Sequence, residues 1–250
     1  MCRALIGVVC AAVLSGCGAA RGDDFASGFA VAELFTSEGC SSCPPADALL
    51  ADIVRDAGVR ARPVYALSFH VDYWDDIGWR DPWSSARHSA RQRAYARAQS
   101  RTGVYTPQLV INGRDAFVGS NAGRARASLE RALRGGPRLA LALSANTESQ
   151  HVQLRYQLGA RAPDHAALQV ALVQLEAESR VTRGENTGRM LHHANVVRSF
   201  DTIPLDDRTS GTLRIPRPTD ISPRELGLIA YLQNLDTLDI LAAGSAQLQP

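Results

Sequence analysis

The chain contains no lysine, few cysteines and no large excess of charge of either sign. All 27 basic residues are arginine and 25 residues are acidic, which leaves a formal net charge of +2 over 250 residues. Because proteins that bind nucleic acids normally carry a strong basic excess, this balance argues against a nucleic-acid partner. The apolar fraction of 45% allows a buried core and excludes global disorder, and the length allows one large domain or two small ones.

The apolar run over residues 4–14 is too short for a permanent membrane helix but has the length of a secretory signal. It ends in the letters LSGC at residues 14–17. These letters resemble the bacterial lipobox, in which a peptidase cuts before the cysteine and the cysteine is then acylated. We therefore predict a lipoprotein-type signal peptide over residues 1–16 and a lipid anchor at Cys17. The alternative is ordinary cleavage after Ala20, and both alternatives predict export to the bacterial periplasm.

Cysteine use in the exported chain is minimal. Of the 5 cysteines, Cys2 and Cys10 leave with the signal and Cys17 is lipidated or removed. Only Cys40 and Cys43 remain, so the mature chain can form a single intramolecular disulfide. Structural disulfides of exported proteins usually close long loops, because that is where a cross-link restricts the unfolded chain most. A two-residue loop is therefore poorly explained as a structural cross-link.

Hydrophobic periodicity divides the rest of the chain into two parts. Residues 17–28 are small and polar and are predicted to be a tether. Residues 29–136 predict the order strand, helix, strand, helix, strand, strand, helix. Two glycines and a proline at residues 135–137 indicate a domain boundary. Beyond it, over residues 137–250, apolar residues alternate with polar or small ones in short segments, which is typical of a β-sandwich.

Two thiols at Cys-x-x-Cys spacing can attack a disulfide and then resolve the mixed disulfide from the same turn. Cys40 is the predicted nucleophile and Cys43 the predicted resolving thiol. Pro44 and Pro45 favour the first turn of a helix directly after the pair, where missing N–H groups cost nothing. A helix N-terminus carries partial positive charge and lowers a thiol pKa. The same spacing is half of a zinc site, but zinc requires about four ligands and no second pair exists.

Thr106 and Pro107 form the second predicted element of the site. A proline before a buried strand can adopt the cis form, which exposes backbone groups of the preceding residue to an extended substrate. Together with the Cys-x-x-Cys helix start and a hairpin signal at Asn112 and Gly113, this pattern resembles the thioredoxin superfamily over residues 29–135. The resemblance implies an α/β thioredoxin-like domain followed by a β-rich, sandwich-like domain. It also implies that Pro107 is a cis-proline lying against the two cysteines.

Further motifs are similar to a family of secreted thioredoxin-like bacterial proteins whose function is not defined. They are ELFTSEGCSSCPPAD at residues 33–47, FHVDYWD at residues 69–75 and VYTPQ at residues 104–108. RGEN at residues 183–186 and NVVR at residues 195–198 extend the resemblance through the mature chain. The RGEN and NVVR region is interpreted as a conformational corner of the second domain rather than as a site.

One departure from thioredoxins concerns a buried acid that they keep in the first strand, six residues before the first cysteine. Leu34 occupies that place here, and Glu33 precedes it. Because adjacent strand residues face opposite sides of a sheet, Glu33 can serve as proton acceptor for Cys43 only with a loop one residue longer. The alternative is an acid at the edge or tether without a catalytic role.

Three function hypotheses follow from the residues. The first is an exported thiol–disulfide oxidoreductase that acts on protein or small-molecule disulfides and thiols and needs no bound cofactor. The second is a periplasmic copper-binding assembly protein that uses Cys40, Cys43 and His70, since soft thiolates select Cu(I). The third is a non-catalytic envelope scaffold.

Aromatic residues near the predicted site are candidates for substrate contacts. Tyr73 and Trp74 lie in an aromatic segment, and Tyr105 precedes the Thr-Pro pair. Tyrosine and tryptophan are good anchors for a partner, and the alternative is that they pack the segment onto the core. His192 and His193 are adjacent, and on a strand they would point to opposite faces, which argues against a shared metal.

Overall fold

The computed structural model describes residues 28–136 and 139–249. In these residues the chain forms eleven β-strands, three α-helices and one short 3₁₀ helix. The predicted signal peptide, the anchor at Cys17 and the tether up to residue 27 lie outside the described residues. No helix in the described part of the chain is long and apolar enough to cross a membrane.

The first part of the chain alternates strands and helices in the predicted order. Its elements are β1 (Ala30–Thr36), α1 (Pro44–Val59), β2 (Val64–His70), α2 (Ala86–Ala98), β3 (Gln108–Ile111), β4 (Asp115–Val118) and α3 (Ala122–Arg134). Proline in the first turn starts α1. The Ser85 hydroxyl caps α2 by accepting a hydrogen bond from the Arg87 amide, because the first N–H groups of a helix lack partners within it.

The second part of the chain consists of strands. They are β5 (Leu141–Thr147), β6 (His151–Leu158), β7 (Ala166–Arg180), β8 (Met190–Pro204), β9 (Ser210–Pro216), β10 (Leu226–Asn234) and β11 (Ile240–Gln249). The 3₁₀ helix Pro223–Glu225 directly precedes β10. Burial alternates along β6, as expected for a strand with one face in a core.

All eleven strands belong to one mixed sheet with the order β4-β3-β1-β2-β8-β7-β10-β11-β5-β6-β9. Strand β8 lies parallel to β2, with Ser68 opposite Val196, so the sheet continues from the first part of the chain into the second. The predicted fold class, an α/β thioredoxin-like domain followed by a β-sandwich-like domain, is therefore wrong. The N–H and C=O groups at the free edge of β2 need hydrogen-bond partners. Strand β8 supplies them, whereas two separate domains would leave that edge of β2 unpaired.

A shared hydrophobic core explains why the two parts form one sheet. Phe35 and Phe69 from the first part pack in one cluster with Val173, Val197 and Tyr231 from the second. A further core lies between the sheet and helices α1 and α3, and a third is formed by the part of the chain that follows α3. The residue limits proposed for the segments stay predictions, since residues 137–138 lie outside the described residues.

The predicted hairpin turn joins β3 to β4. Asn112 and Gly113 have φ values of 49° and 75°, as the two central residues of a tight type I′ turn require, and the Arg114 amide closes the turn by donating to the Ile111 carbonyl at 3.0 Å. A β-carbon on Gly113 would lie 1.8 Å from the Leu238 carbonyl oxygen, so only glycine allows the turn to approach the β10–β11 connection this closely. The hairpin prediction is confirmed, and the turn also joins the two parts of the chain.

Candidate functional site

Cys40 and Cys43 form a disulfide, with their Cα atoms 5.4 Å apart. The backbone amide of Cys43 donates to the Cys40 carbonyl at 3.1 Å and closes the turn between them. Cys43 directly precedes α1, and Pro44 is the first residue of the helix. The sulfur pair therefore lies at a helix N-terminus, where the partial positive charge of the unpaired N–H groups favours a thiolate over a thiol.

Both cysteines are fully buried, whereas Ser41 and Ser42 between them are exposed. The sequence-based mechanism requires an exposed first thiol, and in the disulfide-bonded protein Cys40 has no exposed surface. The hydroxyl of the exposed Ser42 lies 3.4 Å from the Cys40 sulfur. The Cys40 sulfur is therefore shielded from solvent in the disulfide-bonded protein.

The loop over residues 181–189, which connects β7 to β8 and is called the capping loop below, covers the cysteine turn. The Asn186 side-chain amide donates to the Glu38 carbonyl at 2.8 Å and to the Cys40 carbonyl at 3.0 Å. The Glu185 carboxylate accepts a hydrogen bond of 3.0 Å from the Ser41 amide. The sequence was interpreted as placing this region at a conformational corner of the second domain rather than at a site, whereas in the structure the loop contacts the cysteine turn directly.

Pro107 follows a cis peptide bond from Thr106. It is buried, and its Cβ atom lies 3.3 Å from the point that a β-carbon on Gly119 would occupy. The Cβ atom of Ala46, in the first turn of α1, lies 3.2 Å from the same point. The cis-proline therefore packs beside the helix start that carries the disulfide.

Trp74 connects the cis-proline segment to the cysteine turn. Its indole N–H donates to the Thr106 hydroxyl at 2.8 Å. A β-carbon on Gly39, the residue before Cys40, would lie 3.1 Å from the Trp74 Cβ atom. Trp74 is half-buried, so part of its surface remains available beside the site.

Tyr73 and Tyr105 are anchored to α2 through Gln92. The Tyr73 hydroxyl donates to the Gln92 side-chain oxygen at 3.1 Å, and burial raises the pKa of Tyr73 to about 12. The Gln92 side-chain amide donates to the Tyr105 carbonyl at 2.7 Å. The substrate contacts predicted for these two residues and for Trp74 stay predictions.

Five buried ionisable side chains form a group next to the disulfide, called the polar cluster below: Glu38, Asp47, His70, Asp81 and His193. The Asp81 carboxylate accepts from the Glu38 amide at 2.8 Å and contacts His70 Nδ1 at 2.7 Å. His193 Nε2 lies 3.2 Å from the Glu38 carboxylate, and its Nδ1 lies 3.7 Å from Asp47 Oδ1. The loop before α1, helix α1, the segment before α2 and strands β2 and β8 thus meet at this point.

Glu38 receives further hydrogen bonds from outside the polar cluster. The indole N–H of Trp79 donates to one carboxylate oxygen at 2.8 Å, and the Ser179 hydroxyl donates to the other. Glu38 lies two residues before Cys40, and its carbonyl is held by Asn186. The residue is therefore a junction between the cysteine turn, the capping loop and β8.

Several polar atoms of the cluster lack a hydrogen bond within the described residues. They are Asp47 Oδ1, His70 Nε2 and His193 Nδ1. Burial by itself lowers the pKa of His193, but the carboxylates of Asp47 and Glu38 outweigh this effect and raise the pKa to about 9. Burial by itself raises the pKa of Asp81, but the facing His70 and two backbone amides bring the pKa below its ordinary value.

Glu33, the sequence-based candidate for proton acceptor, is occupied elsewhere. Its carboxylate accepts hydrogen bonds from Arg91 at 2.9 Å, from Tyr231 at 2.6 Å and from Tyr95. The adjacent Leu34 packs in the core between the sheet and α1, so Glu33 faces the opposite side of the sheet. Its carboxylate therefore points away from the helix that carries Cys43.

The three candidate ligands of the copper hypothesis make other contacts in this disulfide-bonded structure, and the hypothesis stays a prediction. Cys40 and Cys43 are bonded to each other, and His70 is fully buried against Asp81. Across residues 28–136 and 139–249, no group of three or more His, Cys, Asp or Glu side chains is arranged to hold a metal ion.

Sequence reasoning missed the polar cluster and the role of Asn186. Asp47 follows Cys43 by four residues, a spacing that puts two side chains on one helix face, and this was an available signal. The alternation argument for the histidine pair was correct: the His192 side chain is 71% exposed and the His193 side chain 1%. The partner of the buried histidine was not predictable, because α1 and β8 are far apart in the sequence.

Fold and site together define a mixed-sheet protein with a capped Cys-x-x-Cys disulfide at a helix start. The chain belongs to a protein family of unknown function, DUF1223, whose model matches residues 31–233. The crystal structure of protein AGR_C_4864 from Agrobacterium tumefaciens is similar, with 30% sequence identity and a TM-score of 0.67. The match covers 86% of this chain and 92% of that chain.

A domain of the outer membrane lipoprotein Omp28 from Porphyromonas gingivalis also matches, with 9% identity over 46% of this chain and 90% of that chain. Its TM-score of 0.31 is too low to show a shared fold. No functionally curated protein matches the chain.

Proposed function

We propose that the protein is an exported thiol–disulfide oxidoreductase that acts on protein or small-molecule disulfides and thiols. The observation that carries the proposal is the Cys40–Cys43 disulfide at the start of α1, beside a cis Thr106–Pro107 bond. A substrate thiolate attacks the Cys40 sulfur, the disulfide breaks, and Cys43 leaves as a thiolate. In the reverse direction Cys43 attacks the mixed disulfide on Cys40 and expels the substrate thiolate.

The size of the disulfide loop supports a chemical rather than a structural role. Cys40 and Cys43 are separated by 3 positions, so the bond removes little freedom from the unfolded chain. Helix α1 already begins with proline, and backbone hydrogen bonds close the cysteine turn. The fold therefore gains little from the bond, which favours a pair that opens and closes during function.

The resemblance of two motifs to the thioredoxin superfamily supports the same proposal. These are the Cys-x-x-Cys pair at a helix start and the Thr106–Pro107 pair before strand β3. We assign Thr106 and Pro107 to orientation of the substrate, with Trp74, which donates to the Thr106 hydroxyl, as an aromatic contact. The proposal requires that the capping loop moves away from Cys40 when a substrate enters.

The proposal includes export and a lipid anchor at Cys17, which depend on the motif at residues 14–17. In a bacterial host, the wild-type protein should incorporate labelled palmitate and fractionate with membranes. The Cys17→Ser variant should incorporate none. Equal labelling of both proteins would overturn the anchor and leave the redox proposal intact.

Equilibration with graded glutathione buffers tests the redox proposal directly. The fraction of the Cys40–Cys43 disulfide, read by thiol alkylation and mass, should change reversibly around one defined potential. Cys40→Ser should abolish disulfide exchange, whereas Asp52→Asn, an exposed change on the same helix, should leave it unaltered. A pair that never changes state across the series would contradict the proposal and favour the scaffold hypothesis.

A further inference from the structure

Asp47 lies one helical turn beyond Cys43 on α1. Its backbone amide donates to the Cys43 carbonyl at 3.1 Å, and side chains four residues apart on a helix have their Cβ atoms roughly 5–6 Å from each other. Asp47 is 4% exposed, and its Oδ1 atom has no hydrogen bond among the described residues. A buried carboxylate oxygen that makes no hydrogen bond keeps an open acceptor position, and here that position lies one helical turn from the resolving cysteine.

His193 on β8 connects Asp47 to the rest of the polar cluster. Its Nδ1 atom faces Asp47 Oδ1 at 3.7 Å, and its Nε2 atom lies 3.2 Å from the Glu38 carboxylate. The polar cluster also contains His70 of β2 and Asp81 of the segment before α2, which bond to each other, and the buried His88 of α2 contacts the His70 carbonyl. His193 is therefore held between two carboxylates, one of which is next to Cys43 along the helix.

We infer that Asp47, supported by His193, is the acid–base group that exchanges a proton with the Cys43 sulfur. This inference rests on the proposed thiol–disulfide exchange and deepens it. Glu33 cannot take the role, because its carboxylate is bonded to Arg91, Tyr95 and Tyr231 on the other side of the sheet. His193 acts through Asp47 and is a positioning residue.

The Cys43 sulfur gains a proton when the disulfide is broken and loses it when the disulfide forms again. When a substrate thiolate bonds to the Cys40 sulfur, the disulfide breaks and the Cys43 sulfur leaves with the bonding pair. Asp47 relays the Nδ1 proton of His193 to that sulfur, which gives a neutral thiol and a neutral imidazole. In the reverse direction the Cys43 thiol returns its proton to the pair, attacks the Cys40 sulfur and expels the substrate thiolate.

A chromogenic aromatic disulfide separates the two sulfur steps. Mixed with the reduced protein in a stopped-flow instrument, it releases one coloured thiolate when Cys40 attacks and a second when Cys43 resolves the mixed disulfide. Asp47→Asn should leave the first phase unchanged and slow the second roughly 100-fold near neutral pH. The deficit should vanish well above about pH 8.5, the ordinary pKa of a cysteine thiol, because solvent then removes the proton.

His193→Gln should slow the second phase by a smaller factor and converge with the wild-type protein over the same pH range. Asp52→Asn, the exposed control on α1, should change neither phase. An Asp47→Asn protein whose second phase matches the wild type, or is slowed equally at every pH, would overturn the inference. If the wild-type protein releases no second coloured thiolate, the proposed function itself fails.

Discussion

Two groups of buried charges lie on opposite sides of the sheet and differ in how completely they are paired. On the α2 side, both oxygens of Glu33 accept hydrogen bonds, from Arg91, Tyr95 and Tyr231. The Arg91 guanidinium also stacks against the rings of Phe69 and Phe200, among others. On the α1 side, the polar cluster contains three buried atoms without hydrogen bonds in the described chain.

The difference distinguishes a fully paired buried ion pair from an incompletely paired buried group. A fully bonded buried pair such as Glu33 and Arg91 can hold β1, α2 and β10 in one arrangement, because breaking it leaves a charge without a partner. The polar cluster keeps three buried atoms without hydrogen bonds in the described chain, so it retains positions that can accept or donate a proton. The polar cluster lies beside the disulfide, and the Glu33–Arg91 pair does not. Incomplete hydrogen bonding and closeness to the cysteines therefore occur in the same group of side chains.

Removal of Arg91 should have the largest effect on stability. Arg91→Leu leaves the Glu33 carboxylate buried without its cation, which should lower the free energy of unfolding by about 3–5 kcal/mol. Urea unfolding measures this loss. Arg93→Leu, an exposed change on the same helix, should stay within about 0.5 kcal/mol of the wild type. A loss below about 1 kcal/mol for Arg91→Leu would remove the distinction between the two groups of charges.

His193 should make stability fall as the pH rises. Its pKa is raised from 6.5 to about 9 in the folded protein, so its contribution is fully present below pH 6.5 and is lost between that pH and about 9. A shift of this size corresponds to about 3 kcal/mol. Urea unfolding at several pH values in this range should show that the free energy of unfolding of the wild type falls as the pH rises. The same plot for His193→Gln should be flatter.

The neighbouring histidine is the matched control for that slope. His192 is exposed on the opposite face of β8, so His192→Gln should leave the pH dependence of unfolding unchanged. Equal slopes for wild type and His193→Gln would show that the carboxylates of Asp47 and Glu38 do not hold the proton on His193.

Asn186→Ala should have the smallest effect on stability and a clear effect on access. The change removes the donors to the Glu38 and Cys40 carbonyls, which should lower the free energy of unfolding by about 1–2 kcal/mol. Since 1.4 kcal/mol corresponds to a factor of ten, reduction of the disulfide by an added dithiol should be roughly tenfold faster. Thr187→Ala, in the same loop but bonded to Gly184, should leave that rate unchanged. An unchanged rate in Asn186→Ala would mean that the capping loop does not control access.

Local sequence signals predicted the elements that surround the cysteines. Proline after Cys43 marks the start of α1, and the Asn112–Gly113 pair marks the hairpin, because a few adjacent residues decide each of these features. The fold class was mispredicted because the pairing of β8 with β2 joins two edges from distant parts of the chain. Such a pairing has no local signature in the sequence.

By itself the sequence determined that two cysteines share one turn at a helix start, that Asp47 lies on the helix face of Cys43, and that one histidine of the pair on β8 is inward. These features depend only on helix and strand periodicity. Only the tertiary structure decided that β8 adds to β2, which brings His193 to Asp47 and Asn186 to Cys40. The physical reason is that contacts between distant segments depend on which edges and cores fit together, and periodicity carries no information about that choice.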